Sequence, residues 1–202
     1  MKSNIHKLPK QFYYNPNTLD VARKLIGKQL VTKIDGKVCG GIIAETEAYH
    51  GVTDKASHAY GGRKTPRTEV MFHDGGIAYV YFSYGMHHLF NVVTGRTGDP
   101  KAVLVRGIIP NRGIDTILYR RKQTQINPKL VNGPAKLCQA LGISLEHNKI
   151  SLLSNIIWIE NAREVEKQDI IITKRVGVDY AGTDASLPYR FILRHADYRT
   201  AK

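Results

Sequence analysis

The sequence predicts an α+β fold, a single domain over residues 1–202 with a curved, mostly antiparallel β-sheet and peripheral helices. Strand-like runs punctuated by turn signals fill residues 30–109, two segments with helix start and stop signals follow by residue 142, and three more strand-like runs lie between 156 and 193. The length suits one domain with a substantial core.

In order, residues 1–17 read as an irregular N-terminal arm, with Phe12, Tyr13 and Tyr14 as its anchor. Thr18 is placed to cap a short helix reaching about Ile26, with Asp20 in the first turn, Leu19, Ala22, Leu25 and Ile26 as an apolar stripe and Gly27 as the stop. Runs 30–34 and 38–49 flank Asp35-Gly36, a strong hairpin signal. Residues 50–71 lose periodicity and become polar, basic and glycine-rich. Asp74-Gly75-Gly76 turns the chain into a strand over 77–84, and runs 89–93 and 101–109 give two more strands. A helix over 111–121 turns Ile114, Ile117 and Leu118 inward, and a second opens at Gly133-Pro134 and stops at Gly142. Runs 156–159, 170–175 and 189–193 are the closing strands.

Thirty Lys and Arg against seventeen Asp and Glu give a net charge of +13. Such an excess speaks of partners rather than fold, and nucleic acid or an anionic membrane surface are the usual ones. The basic residues are spread over loops and strand ends instead of one amphipathic helix, and no apolar run approaches the ~20 residues of a membrane span, so nucleic acid is favoured and no membrane is expected. Cys39 and Cys138 form no CxxC and the N-terminus resembles no signal peptide, which predicts a reduced, cytoplasmic protein.

The stretch from Glu45 to Asn91 is dense in polar and aromatic chemistry, with five of the eleven tyrosines in a quarter of the chain. Alternation along a strand puts Ile43, Glu45, Glu47 and Tyr49 on one face and Ile42, Ala44, Thr46 and Ala48 on the other. Residues two apart lie roughly 6.5–7 Å from each other, so Glu47 can act on a group lying against Tyr49; solvated glutamates on an edge strand are the competing reading. Arg63, Lys64 and Arg67 surround Thr65-Pro66 in a loop that suits phosphates or plain solvent. Tyr79 and Tyr81 share a face, and Tyr84, before Gly85, is placed to project. Arg106, inside an apolar strand, either pairs with Glu45 and Glu47 or snorkels from the strand end. The N–H groups at 132–135, with Lys136 nearby, open a helix that either holds a phosphate or binds nothing.

There is no GxxxxGK[ST], GxGxxG or HExxH, and no His-x-Glu followed by CxxC. The adjacent His87 and His88 point to opposite faces of a strand, which argues against a shared metal. A metal-free, cofactor-free reaction is implied. A carboxylate, an arginine, aromatic rings and a basic surface suit hydrolysis of a glycosidic bond in a substrate that carries phosphates.

ETEAYHG, SHAYGGRKTPR, YVYFSYGMHHLFNVV, AVLVRG and GPAKLCQALGI, in that order over most of residues 20–195, resemble the alkyladenine (3-methyladenine) DNA glycosylase family. The resemblance implies a monofunctional base-excision-repair enzyme that flips alkylated or deaminated purines, hypoxanthine among them, out of duplex DNA. It would hydrolyse the N-glycosidic bond with a glutamate-activated water and leave an abasic site. By resemblance Glu47 is the general base, Arg106 helps hold the water, Tyr49, His58 and Tyr81 line the base pocket, and Asn91 screens the base edge. Tyr84 is the DNA wedge, and Arg63, Thr65, Arg67, Met86 and Lys136 follow the DNA backbone. The implied partner is double-stranded DNA containing a damaged purine, bound by a monomer, nucleoid-associated if the source is bacterial. Ala44, where many relatives have a larger aliphatic, and His87-His88 depart from the family pattern without touching this chemistry. Three other readings compete: a sugar hydrolase using Glu45 and Glu47, a noncatalytic nucleic-acid-binding module, and a glycosylase/lyase using Lys55 or Lys64 as an amine nucleophile.

Overall fold

The computed structural model describes residues 6–83 and 85–194; the proposed wedge, Tyr84, falls outside them. The arm read as irregular contains a four-residue helix, α1 (Lys10–Tyr13), and Lys7 bridges to Glu160. Tyr13 is fully buried and its carbonyl accepts the Gly95 N–H at 2.9 Å. Burial of that ring, which a sequence window does not show, anchors the described part of the arm.

Helix α2 (Thr18–Leu25) is capped one residue earlier than expected. Asn17 accepts the Asp20 N–H on its side chain, while Thr18 is the first helical residue and turns its hydroxyl to that of Thr94, 2.9 Å away. Strands β1 (Gln29–Ile34) and β2 (Lys37–Tyr49) form the expected hairpin, with Asp35 at φ 53° and Gly36 at φ 69°, the left-handed pair a two-residue turn needs. After three 3₁₀ turns come β3 (Ala78–Ser83), β4 (His87–Thr94) and β5 (Lys101–Arg112). The helix expected from residue 111 begins later, as α3 (Ile114–Arg121), because Arg112 still pairs with Gly40 in the ladder and Gly113, at φ 68°, makes the break. Helix α4 (Pro134–Leu141) starts and stops at the expected glycines, and β6 (Ile157–Glu160), β7 (Ile170–Thr173) and β8 (Arg190–Leu193) complete the chain.

All pairings are antiparallel and the path runs β3-β4-β5-β2-β1-β6. The sheet forks at β2: its first half pairs with β1, whereas Glu45 to Glu47 pair with β8, which carries β7. Register shifts near Glu45 curl the sheet and break the strict alternation read from sequence. Ile43 and Ala44 consequently both enter the main core, on the face covered by the helices, although the plain pattern put them on opposite faces. From Glu45 onward alternation resumes. Ala48 stays in that core and the Thr46 hydroxyl donates to the Ala22 carbonyl of α2 at 2.9 Å, which leaves Glu45, Glu47 and Tyr49 for the concave face. Among the described residues no helix is long and apolar enough to cross a membrane.

Candidate active site

The concave face holds a cavity of about 650 Å³ whose wall includes Tyr49, His58, Tyr81, Asn91 and Arg106. Strand β4 shows how the fold selects these residues: Phe90 and Val92 enter the main core, so Asn91 and Val93 face the other way. The five residues expected around the substrate therefore meet at one place.

Glu47 has no exposed surface. Its Oε2 accepts the Tyr49 hydroxyl at 2.9 Å, its Oε1 accepts the Val176 N–H at 2.8 Å, and Arg106 Nε lies 3.4 Å from Oε1. Tyr49, Val176 and Arg106 all line the cavity, so the carboxylate sits directly behind the wall they form. Burial raises its pKa above the ordinary glutamate value, with the Arg106 charge and the Val176 and Tyr49 hydrogen bonds opposing. Burial and the neighbouring Glu47 charge hold the Tyr49 phenol well above its usual range, so it stays protonated and donates.

Arg106 pairs with both carboxylates, as one of the two sequence readings had it, but Glu45 is the tighter partner. Arg106 Nε donates to Glu45 Oε1 at 2.8 Å, and Arg190 Nε reaches the same oxygen at 2.7 Å. With two guanidiniums on one oxygen Glu45 is committed as a counter-ion, which removes the second free carboxylate a sugar hydrolase would need.

The opposite wall is aromatic, with the Arg67 guanidinium lying over it. Tyr79 and Tyr81 stack tilted with centroids 5.3 Å apart, and His58 meets Tyr81 edge-on at 4.7 Å. His58 Nδ1 lies 2.8 Å from the Tyr79 hydroxyl and Nε2 3.3 Å from Arg67 Nη2. A guanidinium only donates, so Nε2 accepts and Nδ1 carries the proton. Burial, aided by the Arg67 charge, lowers the His58 pKa to about 4, which keeps the ring neutral at pH 7. Asn91, 3% exposed, donates from Nδ2 to the Tyr79 carbonyl at 3.1 Å, tying β4 to β3 while standing in the cavity wall.

The residues expected along a DNA backbone are scattered. Arg63 and Thr65 line the rim, in a loop drawn tight by the Thr65 N–H on Thr68 Oγ1 at 2.9 Å. Arg67 lies over the Tyr81 ring at 4.6 Å and so belongs to the pocket wall as much as to the outer surface. Met86 is 67% exposed beyond β3, and Lys136 is half-buried on α4, away from the cavity. The start of α4 offers fewer free N–H groups than expected: Pro134 has none, Gly133 donates to the Arg106 carbonyl at 3.0 Å, and Asn132 bridges to Gly107.

Sequence reasoning missed Arg175, Val176, Asp54 and Arg190. A charge interrupting an apolar strand, the sign that singled out Arg106, was present at Arg190. Val176 contributes only its backbone, which no side-chain pattern reveals. Among the described residues no three His, Cys, Asp or Glu side chains group as a metal site requires.

A curled antiparallel half-barrel with a buried glutamate behind an aromatic cavity, carrying a strong positive charge, fits an enzyme that removes bases from DNA. The comparisons supply the family: residues 11–197 match methylpurine-DNA glycosylase, and the chain belongs to that family. A putative 3-methyladenine DNA glycosylase of Chlamydia felis is 51% identical over 188 residues, covering 92% of this chain and 95% of that protein. Proteins with the same description from Bacillus cereus (ATCC 10987) and Chlamydia pneumoniae are 48% and 44% identical, covering 89% and 94% of this chain and 92% and 96% of their own. The protein is accordingly a monofunctional DNA glycosylase for alkylated bases, acting in base excision repair.

Proposed function

We propose that the protein flips an alkylated purine, 3-methyladenine or a close relative, into the cavity and cleaves its N-glycosidic bond with a water activated by Glu47. The observation that carries this reading is the placement of Glu47. Of the two carboxylates beside Arg106 it is the more loosely held, at 3.4 Å against 2.8 Å for Glu45, and burial moves its pKa toward the range a general base needs. The water takes its place beside Arg106, where the 3.4 Å contact to Oε1 is the loosest of the three around the carboxylate. Its oxygen bonds to C1′, its proton passes to Glu47, and the base leaves with the bonding electron pair.

Flipping a base costs a few kcal/mol in lost stacking and pairing. Tyr84, by its place in the sequence between β3 and β4, is assigned to fill the vacated space, and Arg63 and Arg67 at the rim to hold phosphates. Tyr49, His58 and Tyr81 surround the flipped base with rings, which favours cationic alkylated purines. Such bases depart neutral, so an activated water suffices without a strong acid. Asn91, held by the Tyr79 carbonyl, opposes the exocyclic amine of undamaged guanine.

Duplexes each carrying 3-methyladenine, 7-methylguanine, hypoxanthine or ethenoadenine, scored for free base released, test the reading. Release of alkylated purines by the wild type and none by Glu47→Gln is expected. No release from any duplex, or a Gln variant within a few-fold of wild type, would sink it.

A further inference from the structure

Behind Tyr49 lies an arginine that meets neither the cavity nor solvent. The Arg175 side chain is 0% exposed. Nη1 donates to Asp54 Oδ2 at 2.5 Å and to the Ala48 carbonyl at 3.0 Å, and Nη2 donates to Asp54 Oδ1 at 2.8 Å and to the Asp184 carbonyl at 3.2 Å. Its guanidinium also sits 4.9 Å from the Tyr49 ring centroid and 5.2 Å from that of Tyr189. Asp54 in turn accepts the His50 and Ala56 N–H groups at 2.9 and 3.0 Å. One side chain thus joins the end of β2, the turn after it and the segment before β8.

We propose that Arg175 is a positioning residue for base excision, holding the Tyr49 ring and the Val176 N–H in place over Glu47. The chain geometry supports this over mere cross-bracing. Ala48, whose carbonyl Arg175 holds, lies between Glu47 and Tyr49, and Val176, whose N–H meets Glu47 Oε1 at 2.8 Å, is the next residue after Arg175. Two of the three groups that touch the Glu47 carboxylate therefore hang from this guanidinium. Its planar fork is what lets it serve Asp54 with two nitrogens and two carbonyls at once, which an ammonium cannot reproduce.

The inference rests on Glu47 being the base. The charged and titratable groups facing Glu47 are Arg106, Glu45, Tyr49, Tyr81 and Arg175, with Arg190 acting through Glu45. Letting Val176 drift removes a hydrogen bond that favours the ionised form, so the acid limb of the rate profile moves to higher pH.

The test is single-turnover excision of a methylated purine against pH, with thermal unfolding in parallel. It uses Arg175→Lys, Arg175→Met and Asp54→Asn, with Leu30→Ala in the distant β1 core as a destabilised control. Arg175→Lys keeps a cation for Asp54 and is the variant that decides if the Met variant does not fold. It is expected to excise on the order of 10- to 100-fold more slowly, the scale of a displacement near 1 Å, with its acid limb raised. Because the guanidinium is sealed from solvent, low-salt affinity for undamaged duplex stays at the wild-type value. An acid limb at the wild-type position, with a rate loss no larger than that of Leu30→Ala, overturns the inference. An active Glu47→Gln protein overturns the Glu47 reading itself, whereas normal profiles in the Arg175 and Asp54 variants overturn the positioning role alone.

Discussion

The two walls of the cavity are built on opposite electrostatic plans. Around Glu47 the side chains are charged, buried and paired: Arg106 and Arg190 share Glu45 at 2.8 and 2.7 Å, and Arg175 grips Asp54 with two nitrogens. Around Tyr81 they are neutral and held by ring contacts and single hydrogen bonds, and the one cation, Arg67, rests on an aromatic face and a neutral imidazole. Buried ion pairs have few geometries open to them, because displacing one partner leaves an uncompensated charge. Ring contacts tolerate sliding. The first wall is thus the stiffer of the two, which on the proposed function holds the reacting group still while the second accepts bases of different shape.

The contrast predicts a graded set of effects. Glu47→Gln, which keeps the side-chain shape but removes the proton-accepting carboxylate and its charge, should lower the single-turnover excision rate by about 100-fold or more, the scale of general-base catalysis, with binding to a lesion duplex retained. A folded-state pKa raised above the unfolded value means that Glu47 favours folding at low pH and that this contribution is lost as pH rises through the folded pKa. The Gln variant should accordingly melt higher than wild type at pH 7 and lose that advantage near pH 4.

Next in size, Asp54→Ala should cost about 3–5 kcal/mol in urea unfolding, the price of stranding a buried arginine. If truncating Tyr81 to Ala costs as much without Asp54→Ala reaching that range, the paired wall is not the stiffer one. His58 should respond to pH in the opposite sense to Glu47. Its folded pKa of about 4 lies below the ordinary histidine value of 6.5, so its contribution is present above 6.5 and is lost as pH falls toward 4. Replacing it with Asn should flatten the fall in melting temperature over that interval.

Asn91→Ser should raise release of undamaged guanine relative to hypoxanthine, by the roughly 1–3 kcal/mol carried by an unpaired polar group, and should lower stability slightly because the bond to Tyr79 is lost. An unchanged ratio with a large drop in melting temperature would make Asn91 a strand tie and nothing more. The smallest effect belongs to Arg67→Gln: the slope of log affinity for undamaged duplex against log salt should fall by about one, with thermal stability unaltered.

Local signals survived into the structure wherever the cause was local. Asp35-Gly36 made its turn, Gly133-Pro134 and Gly142 bounded α4, and Tyr79 and Tyr81 shared a face because β3 carries no bulge. Asn17 displaced Thr18 as the cap through a competition between adjacent side chains that the residue types alone do not decide. Across the cavity, Tyr49, His58, Tyr81, Asn91 and Arg106 were legible as polar or aromatic residues in strands and in the loop after β2. The counter-ions were not. Arg190 reaches Glu45 from 145 residues away and Arg175 reaches Asp54 from 121, separations over which periodicity carries no information. The register shifts in β2 were equally hidden, since they arise from pairing with β5.

The fork at β2 also fixes when the site comes into being. Synthesis delivers Glu45 and Glu47 early and Arg190 late, and until β8 docks along Glu45 to Glu47 the one guanidinium paired with the two carboxylates, among the described residues, is that of Arg106. A nascent chain lacking β8 has an open strand edge and surplus negative charge where the finished enzyme has a sealed wall. Among the described strands β8 is the last in sequence, so the wall around Glu45 and Glu47 is completed by the latest-made of the strands that form it.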